Sequence, residues 1–155
     1  MEINVLVDEE LKEELETGWL RGVAEQVLIA LGVDANAELG LFIATGERVK
    51  QLNRDYLGRD ELTDVLAFSA REEVGGHPPF VHPPDGVLHL GEVIIAYPQA
   101  VVQAEEYKHS VKREMVTLIV HGVLHLLGYE HDTPELKLKM RAREKEIVEH
   151  IVGLL

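Results

Sequence analysis

The chain contains no cysteine, so neither a structural disulfide nor a thiolate-bound metal is open to it, and any metal ligand must be nitrogen or oxygen. Basic charge is scarce as well: Lys and Arg total 15 against 28 Asp and Glu, a formal net charge of −13. Broad attraction to nucleic acid rests largely on phosphate neutralisation, so this balance excludes it as a bulk property and confines any polyanion site to a local basic patch. Aromatic residues are 5% of the chain and form no row of the kind a base-stacking platform needs. No apolar run approaches the roughly 18 residues of a membrane span, and the opening Met1-Glu-Ile-Asn-Val-Leu-Val-Asp has no basic region followed by an apolar stretch and a cleavage site. A soluble, cytoplasmic protein with no membrane partner is the expectation.

What is present suits a single domain over residues 1–155, long enough to bury a core without cross-links. Apolar or alternating runs at residues 3–7, 39–44, 63–69 and 87–96 predict four strands. Trp19, Leu20, Val23, Val27, Ile29, Ala30 and Leu31 recur near helical spacing ahead of a stop at Gly32, which predicts a first helix with Trp19 in the core. Thr45 is placed to cap a second helix over residues 48–57. Residues 99–107, 111–127 and 134–152 read as three more, with Pro134 in a first turn. A Pro- and Gly-rich stretch at residues 72–86 reads as an irregular loop at the edge of a site. Strands early and helices late indicate an α+β fold, a small mixed four-stranded sheet packed against about five helices.

The chemistry concentrates in His121-Gly-Val-Leu-His-Leu-Leu-Gly-Tyr-Glu-His131. His121 and His125 stand four apart in a helical segment, so their imidazoles share a face. Gly128 can end that helix in a left-handed turn and redirect the chain so that His131 meets the other two. Three nitrogen ligands with a fourth position left to water is the arrangement of catalytic zinc, which lowers the pKa of the water to about 7. The expectation is therefore one Zn2+ ion in a zincin-like site on a helix and its following turn. A single histidine on a helix face usually has only a hydrogen-bond partner, but three at this spacing are rarely accidental. The same spacing occurs in metzincin proteases, which need Glu directly after the first His as general base. Gly122 stands there, and its lack of a carboxylate argues against a peptidase.

The histidine stretch resembles the signature of the YbeY family, metal-dependent single-strand endoribonucleases of ribosomal RNA maturation. Leu52-Asn53, Tyr56, Gly58, Asp60 and Thr63-Asp-Val-Leu-Ala-Phe resemble that family's second motif, and Leu90-Gly-Glu-Val-Ile-Ile its third. Gln103-Ala104 then precedes the histidine helix, so matching segments cover roughly residues 50 to 150. The resemblance implies that His121, His125 and His131 hold zinc, that Thr63 and Asp64 lie near the floor of the site, and that activated water attacks a phosphodiester. It implies single-stranded RNA, most naturally ribosomal RNA, as partner, with ribosomal proteins or assembly factors beside it and a role in ribosome quality control. Leu57 stands where the family usually has an arginine implicated in catalysis, and Arg59 follows two positions later, which makes Arg59 the candidate catalytic cation. Glu92 and Glu130 stand where Asp is common in the family.

Two other readings stay open at this point, a zinc hydrolase of another substrate such as a peptide and a non-catalytic ribosome-assembly factor with a structural metal. In the second, His82 or a distant carboxylate would complete a closed four-coordinate site. Asp64 is expected either to satisfy turn donors or to accept a ligand imidazole's free N–H, and Glu114 to form a surface ion pair or to do the same. Lys137, Arg141 and Lys145 share one helix stripe that either flanks an RNA groove or, interleaved with Glu135, Glu144, Glu146 and Glu149, is a salt-bridged solvent face. His77, His82 and His89 lack ligand spacing.

Overall fold

Burial with a period of two builds the sheet. In β1 (Glu2–Val7), Ile3 and Val7 are buried while Glu2, Asn4 and Leu6 face outward. The computed structural model describes residues 1–58, 63–70, 86–129 and 132–154. After a single 3-10 turn at Glu9–Leu11 comes α1 (Thr17–Ala30), then β2 (Ala37–Ala44) and α2 (Gly46–Leu57). The expected cap is in place, with Arg48 N–H donating to Thr45 Oγ1 at 3.3 Å. Next are β3 (Val65–Ser69), β4 (Leu88–Ala96), α3 (Tyr97–Glu106), α4 (Val111–Leu126) and α5 (Pro134–Leu154).

The strands lie in the order β1-β2-β4-β3, with β1, β2 and β4 parallel and β3 antiparallel to β4. Parallel neighbours need a crossover, and α1 supplies the one between β1 and β2. The main core fills one face of this sheet, where Ile3, Leu41 and Ile95 meet Leu20 of α1, Ile119 of α4 and Ile151 of α5. A smaller cluster of Ala44, Val49, Leu66 and Ile94 lies beneath α2, with Phe42 and Phe68 against it. The mixed four-stranded sheet with five helices is the α+β architecture read from the sequence.

Two differences have simple causes. Helix α3 begins at Tyr97, directly on the end of β4, because Pro98 fits a first helical turn and needs no amide donor. Trp19 is half-buried instead of enclosed, its ring packed on the core and the Lys112 ammonium 5.5 Å from its centroid. The loop expected at residues 72–86 lies almost wholly outside the described residues. Among the described residues no helix is long and apolar enough to cross a membrane.

Helix α4 positions the site. It packs on β3 and β4 with α1, α3 and α5 around it. Close approach to the sheet depends on Gly122, where a Cβ would lie 2.5 Å from Val93 Cγ1 and 2.9 Å from Cγ2. A second close contact fixes the strand beneath, since Gly91 has φ +129° and a Cβ there would meet the Phe68 carbonyl oxygen at 2.1 Å.

Candidate active site

Enclosure of α4 is broken along one stripe. Met115, Val116, Leu118, Ile119, Val120, Val123, Leu124 and Leu126 are buried, whereas Arg113, Thr117, His121 and His125, spaced by four, are only part-buried. A spacing of four keeps side chains on one face, so the two imidazoles stand one turn apart over the same opening. Their ring centroids are 4.7 Å apart with planes at 76°, and the two Nε2 atoms are 3.2 Å apart.

That separation fits a hydrogen bond sharing one proton. It equally fits two ligands of one ion, because nitrogens about 2.0–2.1 Å from a tetrahedral zinc stand roughly 3.3–3.4 Å from each other. The donor set suits zinc, and no large movement of either ring is needed. Gly128 has φ +97°, with Gly128 N–H donating to the His125 carbonyl at 3.1 Å and Tyr129 N–H to the Leu124 carbonyl at 3.0 Å. This is the left-handed helix ending expected from the sequence. His131, the third expected ligand, lies outside the described residues, and among the described residues no three His, Asp or Glu side chains form a metal-binding group.

The far side of His121 is held by α5. Glu144 Oε2 lies 3.0 Å from His121 Nδ1, with the imidazole 32% and the carboxylate 20% exposed. In neutral His121, Nδ1–H donates to this carboxylate and Nε2 keeps its lone pair facing His125, the tautomer a metal ligand needs. Sequence spacing could not single out Glu144, because four glutamates alternate with cations on the same helix. The signal would have been a carboxylate on whichever helix packs antiparallel to α4.

Of the two carboxylates weighed from the sequence, Asp64 satisfies turn donors, one of its two expected roles, and Glu114 follows neither of its own. Asp64 Oδ1 accepts from the Val65 N–H at 2.8 Å and the Thr63 hydroxyl at 3.4 Å, and Oδ2 accepts from the Gln103 amide at 3.3 Å. It therefore orders the start of β3 and ties it to α3. Glu114 makes no surface ion pair: it is 2% exposed, and its Oε2 faces His109 Nε2 at 3.6 Å, longer than a hydrogen bond. Burial pushes its carboxyl above the ordinary range, the positive charge available on His109 opposes that, and Asp64 and Glu144 add to it. His89 belongs elsewhere, paired with Glu38 at 3.0 Å across β2 and β4.

Asp64, Glu114, His121 and Glu144 line one cleft of about 620 Å³ between α3, α4 and α5. It extends beyond His121 along the basic stripe of α5, where Lys137, Arg141 and Lys145 form part of the wall. Of the four carboxylates interleaved with that stripe, three are engaged otherwise, Glu144 with His121, Glu149 with Arg113 at 2.7 Å and Glu146 with Arg143 at 2.6 Å. Leu57 ends α2 about half-exposed, and Gly58 follows as its left-handed cap. Arg59, His77 and His82 lie outside the described residues.

Residues 3–152 match the family described as Endoribonuclease YbeY. A protein of that name from Dehalococcoides mccartyi is 43% identical over 159 aligned positions, covering 100% of this chain and 92% of the relative. One from Moorella thermoacetica is 46% identical over 129 positions, covering 83% of this chain and 82% of its own. The solution structure of TM1509 from Thermotoga maritima superposes with a TM-score of 0.64 at 23% identity, covering 97% of this chain and 89% of that one, a likeness of fold.

Proposed function

The chain belongs to the endoribonuclease YbeY family, and from that premise we propose that it is a zinc-dependent endoribonuclease that cuts single-stranded RNA in ribosomal RNA maturation. The observation that carries the metal reading is the pair of Nε2 atoms 3.2 Å apart, backed by a carboxylate on His121 Nδ1. His121, His125 and His131 are the proposed ligands of one ion. When bound, zinc supplies Lewis acidity and brings the attacking water's pKa to about 7.

The chain's own groups do the rest. Glu144 holds His121 in the ligating tautomer and prevents the ring from turning. The half-exposed stripe on α4 leaves one side of the histidines open to a phosphodiester, while the buried sides exclude water from behind. Arg59, next after the left-handed Gly58, is assigned to the negative charge that grows on the phosphoryl oxygens during attack. Gly122 faces the sheet against Val93, so a carboxylate at that position could not reach the histidines as a peptidase base. The proposed setting is cytoplasmic, with ribosomal proteins or assembly factors directing the enzyme to its RNA and a part in ribosome quality control.

The test is cleavage of a single-stranded RNA by zinc-loaded and chelated protein, with His121→Ala beside them. Chelator-sensitive cleavage absent from the variant is expected. Cleavage that persists in both controls would remove the metal from the mechanism. Folded, zinc-bound protein that cuts nothing would favour a non-catalytic assembly role.

A further inference from the structure

Four features of the cleft converge on one use. Lys137, Arg141 and Lys145 are exposed, stand at intervals of four on α5, and line the same cleft as His121. Among the described residues, none of their side chains has an ion-pair or hydrogen-bond partner. The neighbouring carboxylates of Glu144, Glu146 and Glu149 are each held by another group. Finally, Tyr107 lines the same cleft and is 63% exposed, its ring 5.9 Å from that of His109 and tilted by 52° to it.

We propose that this side of α5 is the track along which the RNA backbone lies, with Lys137, Arg141 and Lys145 contacting successive phosphates and Tyr107 stacking one base. The proposal rests on the ribonuclease reading and adds where the strand runs. Helix α5 packs antiparallel to α4, as the pairs His121–Glu144 and Arg113–Glu149 show. The track therefore runs alongside the histidine pair, with Lys145 near the level of His121 and Lys137 towards the end of α4. From Lys137 to Lys145 the helix rises about 12 Å, the reach of a short run of nucleotides. In a chain of net charge −13, phosphates are repelled from most of the surface, so three unneutralised cations in one wall decide where a polyanion can settle. Single strands are favoured over duplexes because a stacking contact needs an unpaired base.

The test measures binding apart from cleavage. Fluorescence polarisation of a labelled oligouridylate is followed against salt with chelated protein, so that no strand is cut. For Lys137→Gln/Arg141→Gln, removal of two phosphate contacts should lower the slope of log affinity against log salt by about 1.4. Affinity at low salt should fall with it. Lys50→Gln/Lys139→Gln removes the same charge from residues off this wall, and should change the slope little. Tyr107→Ala should weaken binding with the slope retained. Circular dichroism confirms the helix in each variant, and Arg141→Gln alone repeats the test if a double variant unfolds. An unchanged slope in the first variant, an equal loss in the control pair, or wild-type protein that does not bind the probe would each overturn the track. Zinc-loaded wild-type protein that cuts no RNA, with these binding effects intact, would overturn the nuclease reading alone.

Discussion

An imidazole presents a lone pair from only one nitrogen while the other carries a proton, so the partner of the protonated nitrogen decides which one can ligate. For His121 that partner is Glu144, 3.0 Å away on another helix. Glu144→Ala should leave the chain folded and weaken zinc affinity by about 10- to 100-fold, with Glu144→Gln recovering part of the loss because its amide oxygen still accepts from Nδ1. Competition with a chromogenic chelator measures this, and equal affinities for the alanine variant and wild type would rule Glu144 out as a positioning group. The histidine spacing is legible in the sequence because i and i+4 lie on one face whatever the fold. Glu144 is not legible, since its pairing joins positions 23 residues apart on different helices.

Helices here end where local chemistry says they should, at Thr45, Gly128 and Pro134, because a cap or a turn is decided by a few adjacent residues. How closely α4 lies on the sheet is decided by contact. Gly122 is read from the sequence as a missing catalytic base, whereas in the fold it is the point where the helix touches Val93. Gly122→Ala should cost about 1–3 kcal/mol through overpacking, despite alanine's better helix propensity. Urea unfolding measures it against Gly153→Ala, where nothing lies within 4 Å of the new methyl and stability should hold or rise. A stabilised Gly122→Ala would mean that α4 can lift from β4 without penalty.

At the level of the whole molecule, the buried carboxylate of Glu114 makes stability depend on pH. Glu114 has its carboxyl raised above the ordinary value of 4.5, chiefly by burial. Between that value and the raised one, the folded chain therefore holds more protons than the unfolded chain, and stability contributed by Glu114 falls as pH rises through this window. Glu114→Gln removes that dependence, so its stability relative to wild type should increase as pH is raised from about 4.5, read by urea unfolding at a series of pH values. A relative stability that decreases over the same range would show that His109 pairs with the ionised form strongly enough to outweigh burial.

The α+β class, the strand and helix segments and the facing of His121 with His125 follow from the sequence alone, because each rests on periodicity or on turn chemistry within a few residues. Which carboxylate orients His121, why position 122 is glycine, and which cations share a cleft with His121 were decided only by tertiary structure. Each of these depends on how α4, α5 and β4 pack, and the burial of Glu114 against His109 depends on that packing as well. A charge pattern on one helix cannot show which of its members a second helix will engage.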